Sequence, residues 1–299
     1  MDNTIKSLLL TPMNMLYRID PELELKLLYR LKMGRHLNLK NPVTYNEKIQ
    51  WIKLFYKNDL IPICADKYTV REYVEKCGCG DILNELLWQG FDAKDIPFEK
   101  LPNKFVIKVT HGSGYNIICK DKARLDTGKV VKKINSWLKQ KYIPCYGEWF
   151  YGVVKPRVIV EKFLDDSKNQ VPMDYKFFCF NNIEGNHGVG VIVVDTDRFI
   201  NHKRKVYDVN WNELSNVMIT FPYDHETNIE KPGKLEQMIE YAKKLSEPFP
   251  HARIDFYYIN DKIFFGEITF TNGAGFSKIL PYSFNEKMGS WIRLADRVE

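Results

Sequence analysis

Polar and apolar residues alternate through Arg253-Ile254-Asp255-Phe256-Tyr257-Tyr258 and again through Lys262-Ile263-Phe264-Phe265-Gly266-Glu267-Ile268-Thr269, with Asn260-Asp261 between the two runs. Period-2 alternation about an Asn-Asp pair predicts a β-hairpin in which, counting outward from the turn, Asp255 and Glu267 can lie close together across the ladder. Residues 104–109 and 115–120 read as strands joined by the small-residue turn His111-Gly112-Ser113-Gly114, and strands return over residues 157–200. Helical periodicity marks residues 21–33, with Gly34 as a stop, then 44–55, 66–76 with Asp66 as N-cap, 129–141 and 235–245. Pro248-Phe249-Pro250 ends the last of these before the hairpin. No internal repeat or low-complexity tract is visible.

Several of these elements carry candidate chemistry. Two carboxylates side by side repel unless something neutralises them. Mg²⁺ suits such hard oxygen ligands, taking one or two carboxylates and completing its shell with water and phosphate oxygens. The alternative is a pair of solvated acids on the polar face of the hairpin. Gly112, Ser113 and Gly114 let backbone N–H groups approach an anion, and Lys108 beside them supplies a point charge for phosphate. The turn leads into a strand with no Gly-Lys-Ser/Thr, so it is a flap and not a Walker A loop, though Gly-Ser-Gly is also an ordinary hairpin turn. After an apolar strand, Glu161-Lys162-Phe163-Leu164 forms a linker that can offer peptide groups to the edge of adenine, with Asp165 and Asp166 beyond it for ribose. The same segment also reads as a plain strand end. Lys176, set among aromatics in Asp174-Tyr175-Lys176-Phe177-Phe178, needs a carboxylate or a phosphate, because an unpaired buried ammonium is costly. His202-Lys203-Arg204-Lys205 reads as a solvated charged loop or, near a cleft, a site for an acidic substrate. His111 is either a flap contact or a structural turn residue.

The order of these elements (lysine and glycine flap, Glu-Lys-Phe-Leu hinge, strand lysine, Arg-x-Asp, then a glutamate-bearing strand) resembles the ATP-grasp superfamily. It resembles most closely the TupA-like branch, found among bacterial surface-polysaccharide biosynthesis proteins. Asn41-Pro42-Val43-Thr44-Tyr45-Asn46-Glu47-Lys48, Ala65-Asp66-Lys67-Tyr68, Asp174-Tyr175-Lys176-Phe177 and Phe249-Pro250-His251-Ala252-Arg253-Ile254-Asp255 carry the likeness, which spans residues 40–295. It implies an α+β fold of ATP-grasp type, with two α+β lobes holding ATP between them. A helical N-terminal region (residues 1–62) would precede an ATP-grasp domain (63–299), whose flap lobe covers 100–160 and whose metal-site lobe covers 161–299.

Carried onto this sequence, the resemblance implies that Lys108 contacts ATP phosphates beneath Gly112, Ser113 and Gly114. Glu161, Lys162, Phe163 and Leu164 would hold adenine, mostly through backbone, and either Asp165 or Asp166 the ribose. Lys176 would reach phosphate, Asp255 and Glu267 would ligate Mg²⁺, and Arg253 would stabilise the transferred phosphoryl group; Lys67 is a further nucleotide candidate. Many ATP-grasp enzymes carry a metal-binding Asn two residues after the glutamate, where this chain has Thr269. Either Asn272 substitutes, or the Thr269 hydroxyl contributes, or the second metal site is incomplete. The implied reaction joins a substrate carboxylate to an amine through an acyl-phosphate, with ATP and Mg²⁺. The expected substrate is an amino acid, a uronic-acid sugar or a surface glycan. Two rivals stand beside it: a kinase of the same fold acting on a hydroxyl, and a glycosyltransferase using Asp195-Thr196-Asp197 to hold a metal and a sugar nucleotide.

Composition changes this picture little. A chain of 299 residues, 44% apolar, can bury a substantial core in one extended or two smaller domains. A net charge of +6 suits polyanionic partners without demanding one, and the scattered basic residues show no nucleic-acid signature. Six cysteines without paired Cys-x-x-Cys spacing read as reduced thiols, which implies a cytoplasmic protein. No signal peptide and no transmembrane stretch is expected. Residues 7–35 offer helical packing or peripheral membrane association. Oligomeric state is open.

Overall fold

Helices α1 (Thr11–Ile19), α2 (Pro21–Met33), α3 (Tyr45–Phe55), α4 (Leu60–Ala65) and α5 (Val70–Lys76) precede strands β1 (Leu86–Gly90), β2 (Phe105–Val109) and β3 (Asn116–Cys119) in the computed structural model. Helix α6 (Thr127–Leu138) is followed by β4 (Val158–Lys162), β5 (Asp174–Ile183), β6 (Asn186–Thr196), β7 (Lys203–Tyr207) and β8 (Met218–Ile219). Then come α7 (Leu235–Ser246), β9 (His251–Ile259), β10 (Lys262–Thr269), β11 (Ile279–Leu280) and α8 (Tyr282–Ser290). The structure describes residues 9–112, 114–165, 172–196 and 202–295; Ser113, Asp166 and Asp197 lie outside them. The fold is α+β with antiparallel sheets.

Contacts group Asp59–Tyr142 with Trp149–Pro172 in one compact unit, and Leu9–Asn58 with Ile143–Glu148 and Met173–Glu299 in another. The helices α1–α3 therefore share a core with the C-terminal sheet, and β4 with its following linker belongs to the flap-bearing unit.

In the first unit the sheet order is β1-β4-β2-β3, antiparallel throughout. Asp126 caps α6 by accepting from the Lys129 amide, and the helix buries Val130 and Ile134 in one core with Phe105, Ile107, Val109, Val158 and Val160. Period 2 then sends Lys108 and Glu161 to the opposite face. The helix expected from Asp66 is assigned from Val70, and the turn before it carries the bonds of an N-cap: Asp66 Oδ1 accepts from the amides of Tyr68 and Thr69, and its carbonyl from the Val70 amide.

In the second unit five strands run in the order β10-β9-β5-β6-β7. Helix α7 packs on β5, β6 and β9 and buries Leu235, Met238, Ala242 and Leu245. The other face is divided. One part (Phe178, Phe180, Val191, Val193 and Val206) joins Tyr45, Ile49 and Trp51 in the main core. Helix α3 is fixed there by a capping box between Thr44 and Glu47. The remainder carries charge.

His251, which flanks the hairpin motif, belongs to that core. Its Nδ1 lies 2.7 Å from the Cys179 carbonyl and its Nε2 2.9 Å from the Tyr45 hydroxyl. Burial pushes its pKa down to about 3. The ring is neutral when folded and protonates on unfolding below about 6.5, so its contribution is full above that value and is lost as pH falls toward 3. Replacing His251 with Phe is expected to flatten the decline in unfolding free energy between about pH 6.5 and pH 3; urea titrations at a series of pH values measure that slope, and an unchanged slope would refute the assignment.

The charged run His202–Lys205 departs from the solvated-loop expectation. It leads into edge strand β7, where Arg204 and Lys205 are buried. Arg204 Nε donates to Asp195 at 2.6 Å and Lys205 Nζ to Glu213 at 2.8 Å, partners that composition could not reveal.

Candidate functional site

A single inserted residue sets the geometry of the hairpin. From the turn, Ile259 pairs with Lys262 and Phe256 with Phe265, a register that would place Asp255 opposite Gly266 and send Glu267 to the other face. A β-bulge at Gly266 intervenes, so Glu267 pairs with Asp255 and both carboxylates point the same way. A side chain at 266 would meet the Asp255 carbonyl at 2.9 Å, which is why the position is glycine.

Arg253, two residues before Asp255 on β9, shares that face. Its guanidinium donates to both Asp255 oxygens at 2.7 Å, to Glu267 Oε1 at 3.2 Å, to Thr269 Oγ1 at 3.0 Å and to Asn272 Oδ1 at 2.6 Å. Burial opposes the charge, yet Asp255 and Glu267 outweigh it and raise the arginine pKa further. Both candidates for the missing amide ligand, Thr269 and Asn272, thus converge on the same guanidinium as the carboxylates.

Lys176, opposite Asp255 in the β5–β9 ladder, finds carboxylates as expected. Its ammonium lies 2.5 Å from Asp174, 2.8 Å from Asp255 and 3.5 Å from Asp195. Burial works against this charge, but Asp174 and Asp255 hold its pKa above the usual lysine value. Asp195 in turn pairs with Arg204 and lies 3.0 Å from His202 Nε2; despite burial, Lys176 and Arg204 hold its pKa below the usual carboxylate range. Counted as ionised, Asp174, Asp195, Asp255 and Glu267 face Lys176, Arg204 and Arg253, leaving one negative charge in excess. Sequence reading met Asp174 only as a neighbour of Lys176 in its strand, Arg204 only within the charged run, and Asp195 only in the Asp195-Thr196-Asp197 pattern, where it proves to be buried and ion-paired.

Sequence reasoning also missed what holds Asn272. Gly273 and Ala274 both have φ of 55°, a conformation costly for alanine. The loop is tied down from α3: the buried Lys53 ammonium donates to the Ala274 carbonyl at 2.8 Å and the Tyr146 carbonyl at 2.7 Å, and Gln50 Nε2 to the Gly275 carbonyl at 2.9 Å. Glu148 accepts from the Thr271 hydroxyl. Polar residues three apart, interrupting the apolar stripe of α3, were the available signal.

In the first unit, Lys108 Nζ donates to Glu161 Oε2 at 2.6 Å, and Arg71 Nη1 lies 3.4 Å from Glu161 Oε1. The hinge residue Lys162 uses its amide on the Glu85 carbonyl, and its carbonyl accepts from Asn84 Nδ2. Asp165 pairs with Lys104 at 2.5 Å. Gly112 and Gly114 take positive φ, and Lys67 Nζ donates to the Gly112 carbonyl at 2.9 Å. His111 is a turn residue: it is buried, with Nε2 2.9 Å from the Gln140 carbonyl, and burial lowers its pKa.

The sequence matches the model of the TupA-like ATP-grasp family over residues 47–293. The chain belongs to that family. Solved structures similar to this ATP-grasp chain include an L-amino acid ligase from Bacillus licheniformis, 13% identical with a TM-score of 0.49 over 87% of this chain and 57% of that one. A D-alanine-D-alanine ligase from Helicobacter pylori, 13% identical, has a TM-score of 0.47 over 83% and 69%. N5-carboxyaminoimidazole synthetase from Staphylococcus aureus in complex with ADP, also 13% identical, has a TM-score of 0.42 over 69% and 44%. The chain spans less than half the length of that synthetase. Among curated proteins no relative matches. No helix among the described residues is long and apolar enough to cross a membrane.

Proposed function

We propose that this chain is an ATP- and Mg²⁺-dependent carboxylate–amine ligase that acts in the cytoplasm on a surface polysaccharide or its precursor, adding an amino acid. The observation that carries the reading is the bulge at Gly266, which aims Asp255 and Glu267 at one point with the Arg253 guanidinium forked across them. Family membership supports ATP as substrate, while the polysaccharide part rests on the resemblance alone.

The donor set fits Mg²⁺. Among the described residues no group of three or more His, Cys, Asp or Glu is arranged around a metal position. Two carboxylates with an amide or hydroxyl oxygen nearby is the sparse set Mg²⁺ favours, and the excess negative charge calls for a cation. Asp255 and Glu267 would hold it, with Asn272 or Thr269 beside them. Once bound, Mg²⁺ supplies charge neutralisation at phosphate oxygens.

The chain's own groups then have separable tasks. Lys108, with Gly112 and Gly114, holds phosphate oxygens in the first unit, and Glu161 keeps the Lys108 ammonium in place. Phe163 and Leu164 offer the base their peptide groups, and Asp165 is the described candidate for ribose. In the second unit Lys176 and Arg253 place two fixed cations where charge develops as a substrate carboxylate attacks the γ-phosphoryl group. They are positioned beforehand by Asp174, Asp195 and Asn272, so little reorganisation is needed at the moment of transfer. An amine then displaces phosphate from the acyl-phosphate.

The test is release of ADP and free phosphate from ATP and Mg²⁺ with a panel of amino acids and uronic-acid sugars, followed by product mass. A condensed product with stoichiometric phosphate is expected. A product heavier by one phosphoryl group would make the protein a kinase, and turnover of a sugar nucleotide in place of ATP would remove the ATP reading altogether.

A further inference from the structure

The N-terminal helices keep much of their apolar surface out of the core. Leu9, Met15, Ile19, Leu23, Leu27 and Leu31 are half of the twelve large apolar side chains exposed among the described residues, and Ile19 and Leu31 are 80% and 75% accessible. On α2 the exposed leucines recur every four residues, forming a stripe opposite the buried Leu25, Leu28 and Tyr29. The helix is thus apolar on two sides, of which the core uses one. Helices α1 and α2 pack on each other and both rest on the segment around Cys145, where Leu28 is buried against Ile143 and Cys145. With their inner sides on one support, their outer sides face solvent together.

Cations surround this apolar surface. Arg18, Lys26, Arg30 and Arg35 are all exposed, against the exposed carboxylate of Asp20 and with Lys26 paired to Glu22 at 2.7 Å. At the C-terminal end of α2 a cavity of about 270 Å³ is lined by Arg30, Arg35, His36, Glu47 and two tyrosines. The Arg35 guanidinium is seated over the Tyr282 ring, 3.9 Å from its centre. The one carboxylate of the cavity is already committed, since Glu47 accepts from the amides of Val43 and Thr44 and from the Thr44 hydroxyl. The cavity therefore presents positive charge to a phosphate-sized group.

We propose that the outer face of α1 and α2 docks on an anionic lipid bilayer, with the leucine stripe in the headgroup–acyl boundary and Arg30 and Arg35 at lipid phosphates. An amphipathic surface of this kind binds through buried apolar area plus attraction to anionic lipid. A second copy of the chain fits less well, because Lys26 sits beside Leu27 at the edge of the stripe and the cores of protein interfaces are depleted of lysine. The proposal is independent of the ATP and metal site, so either can fail without the other.

Co-sedimentation of the whole chain with vesicles of phosphatidylcholine, with and without phosphatidylglycerol, tests it. Binding is expected to the mixed vesicles, to weaken with salt, and to be absent on phosphatidylcholine alone. The double variant Leu27→Glu/Leu31→Glu is expected to reduce the bound fraction roughly tenfold or more, with an unchanged melting temperature because both side chains are exposed. Arg30→Gln/Arg35→Gln is expected to remove most of the salt dependence. Failure to bind mixed vesicles, equal binding to neutral ones, or binding indifferent to the leucine variants would overturn the proposal. So would sedimentation equilibrium showing a dimer that the leucine variant dissociates, since the face would then be a subunit interface.

Discussion

Replacing Lys176 with methionine is expected to lower the unfolding free energy by about 3–5 kcal/mol, the range seen when one partner of a buried ion pair is removed. The ammonium touches Asp174, Asp255 and Asp195, and the side chains of all four residues are at most 6% accessible. Methionine preserves the volume and removes the charge. Arg253 still serves Asp255 and Arg204 still serves Asp195, while Asp174 loses its 2.5 Å contact with the ammonium. Urea unfolding at neutral pH measures the loss. The double variant Lys176→Met/Asp174→Asn should recover part of it, since contacting residues are not additive. A loss below about 1 kcal/mol would mean that the three aspartates do not depend on the ammonium, contrary to the electrostatics drawn here.

Glu267→Gln is expected to act on turnover and to leave the fold almost untouched. The side chain is 34% accessible and its bond to Arg253 Nη2 is 3.2 Å, so the loss of stability should stay near that of a partly exposed pair, about 1 kcal/mol or less. Removing one of the two carboxylates proposed to hold Mg²⁺ should reduce ADP release by about 10²–10³-fold, comparable to deleting a preorganised electrostatic group elsewhere. The variant should need more Mg²⁺ for half-maximal rate. ADP release within tenfold of wild type at the same Mg²⁺ concentration would take Glu267 out of the metal site.

The hairpin itself was legible because alternation and an Asn-Asp turn are local signals; Asn260 and Asp261 indeed adopt positive φ of 49° and 59°, the conformation such two-residue turns require. The bulge was harder to see. A lone glycine inside a strand pattern hints at one, but only the partner strand shows that Asp255 closes on Gly266 and that Glu267 changes face. Lys176 was legible as a buried cation in need of partners, whereas two of its three partners were not, since Asp195 comes from the neighbouring strand β6 and Asp255 lies 79 residues away. The charged run before Tyr207 misled for the same reason. Its lysine and arginine look solvated until the strand register brings Asp195 and Glu213 against them. The grouping of α1–α3 with the C-terminal sheet rests on contacts such as Tyr45 with His251, 206 residues apart, which no window of sequence can contain.

The extra residue at Gly266 divides the hairpin into two registers. Beyond it, toward Asn260 and Asp261, pairs such as Phe256 with Phe265 follow one phase; behind it, Asp255, Arg253, Glu267 and Thr269 follow another. The tip can therefore be rewritten, shortened by whole pairs or given a different turn without rotating a single charged group away from the others. Deleting one residue anywhere between Phe256 and Gly266 would instead turn half of those groups inside out. The chemistry of this strand pair is protected by counting, and tolerance to insertion or deletion along it should alternate with odd and even length.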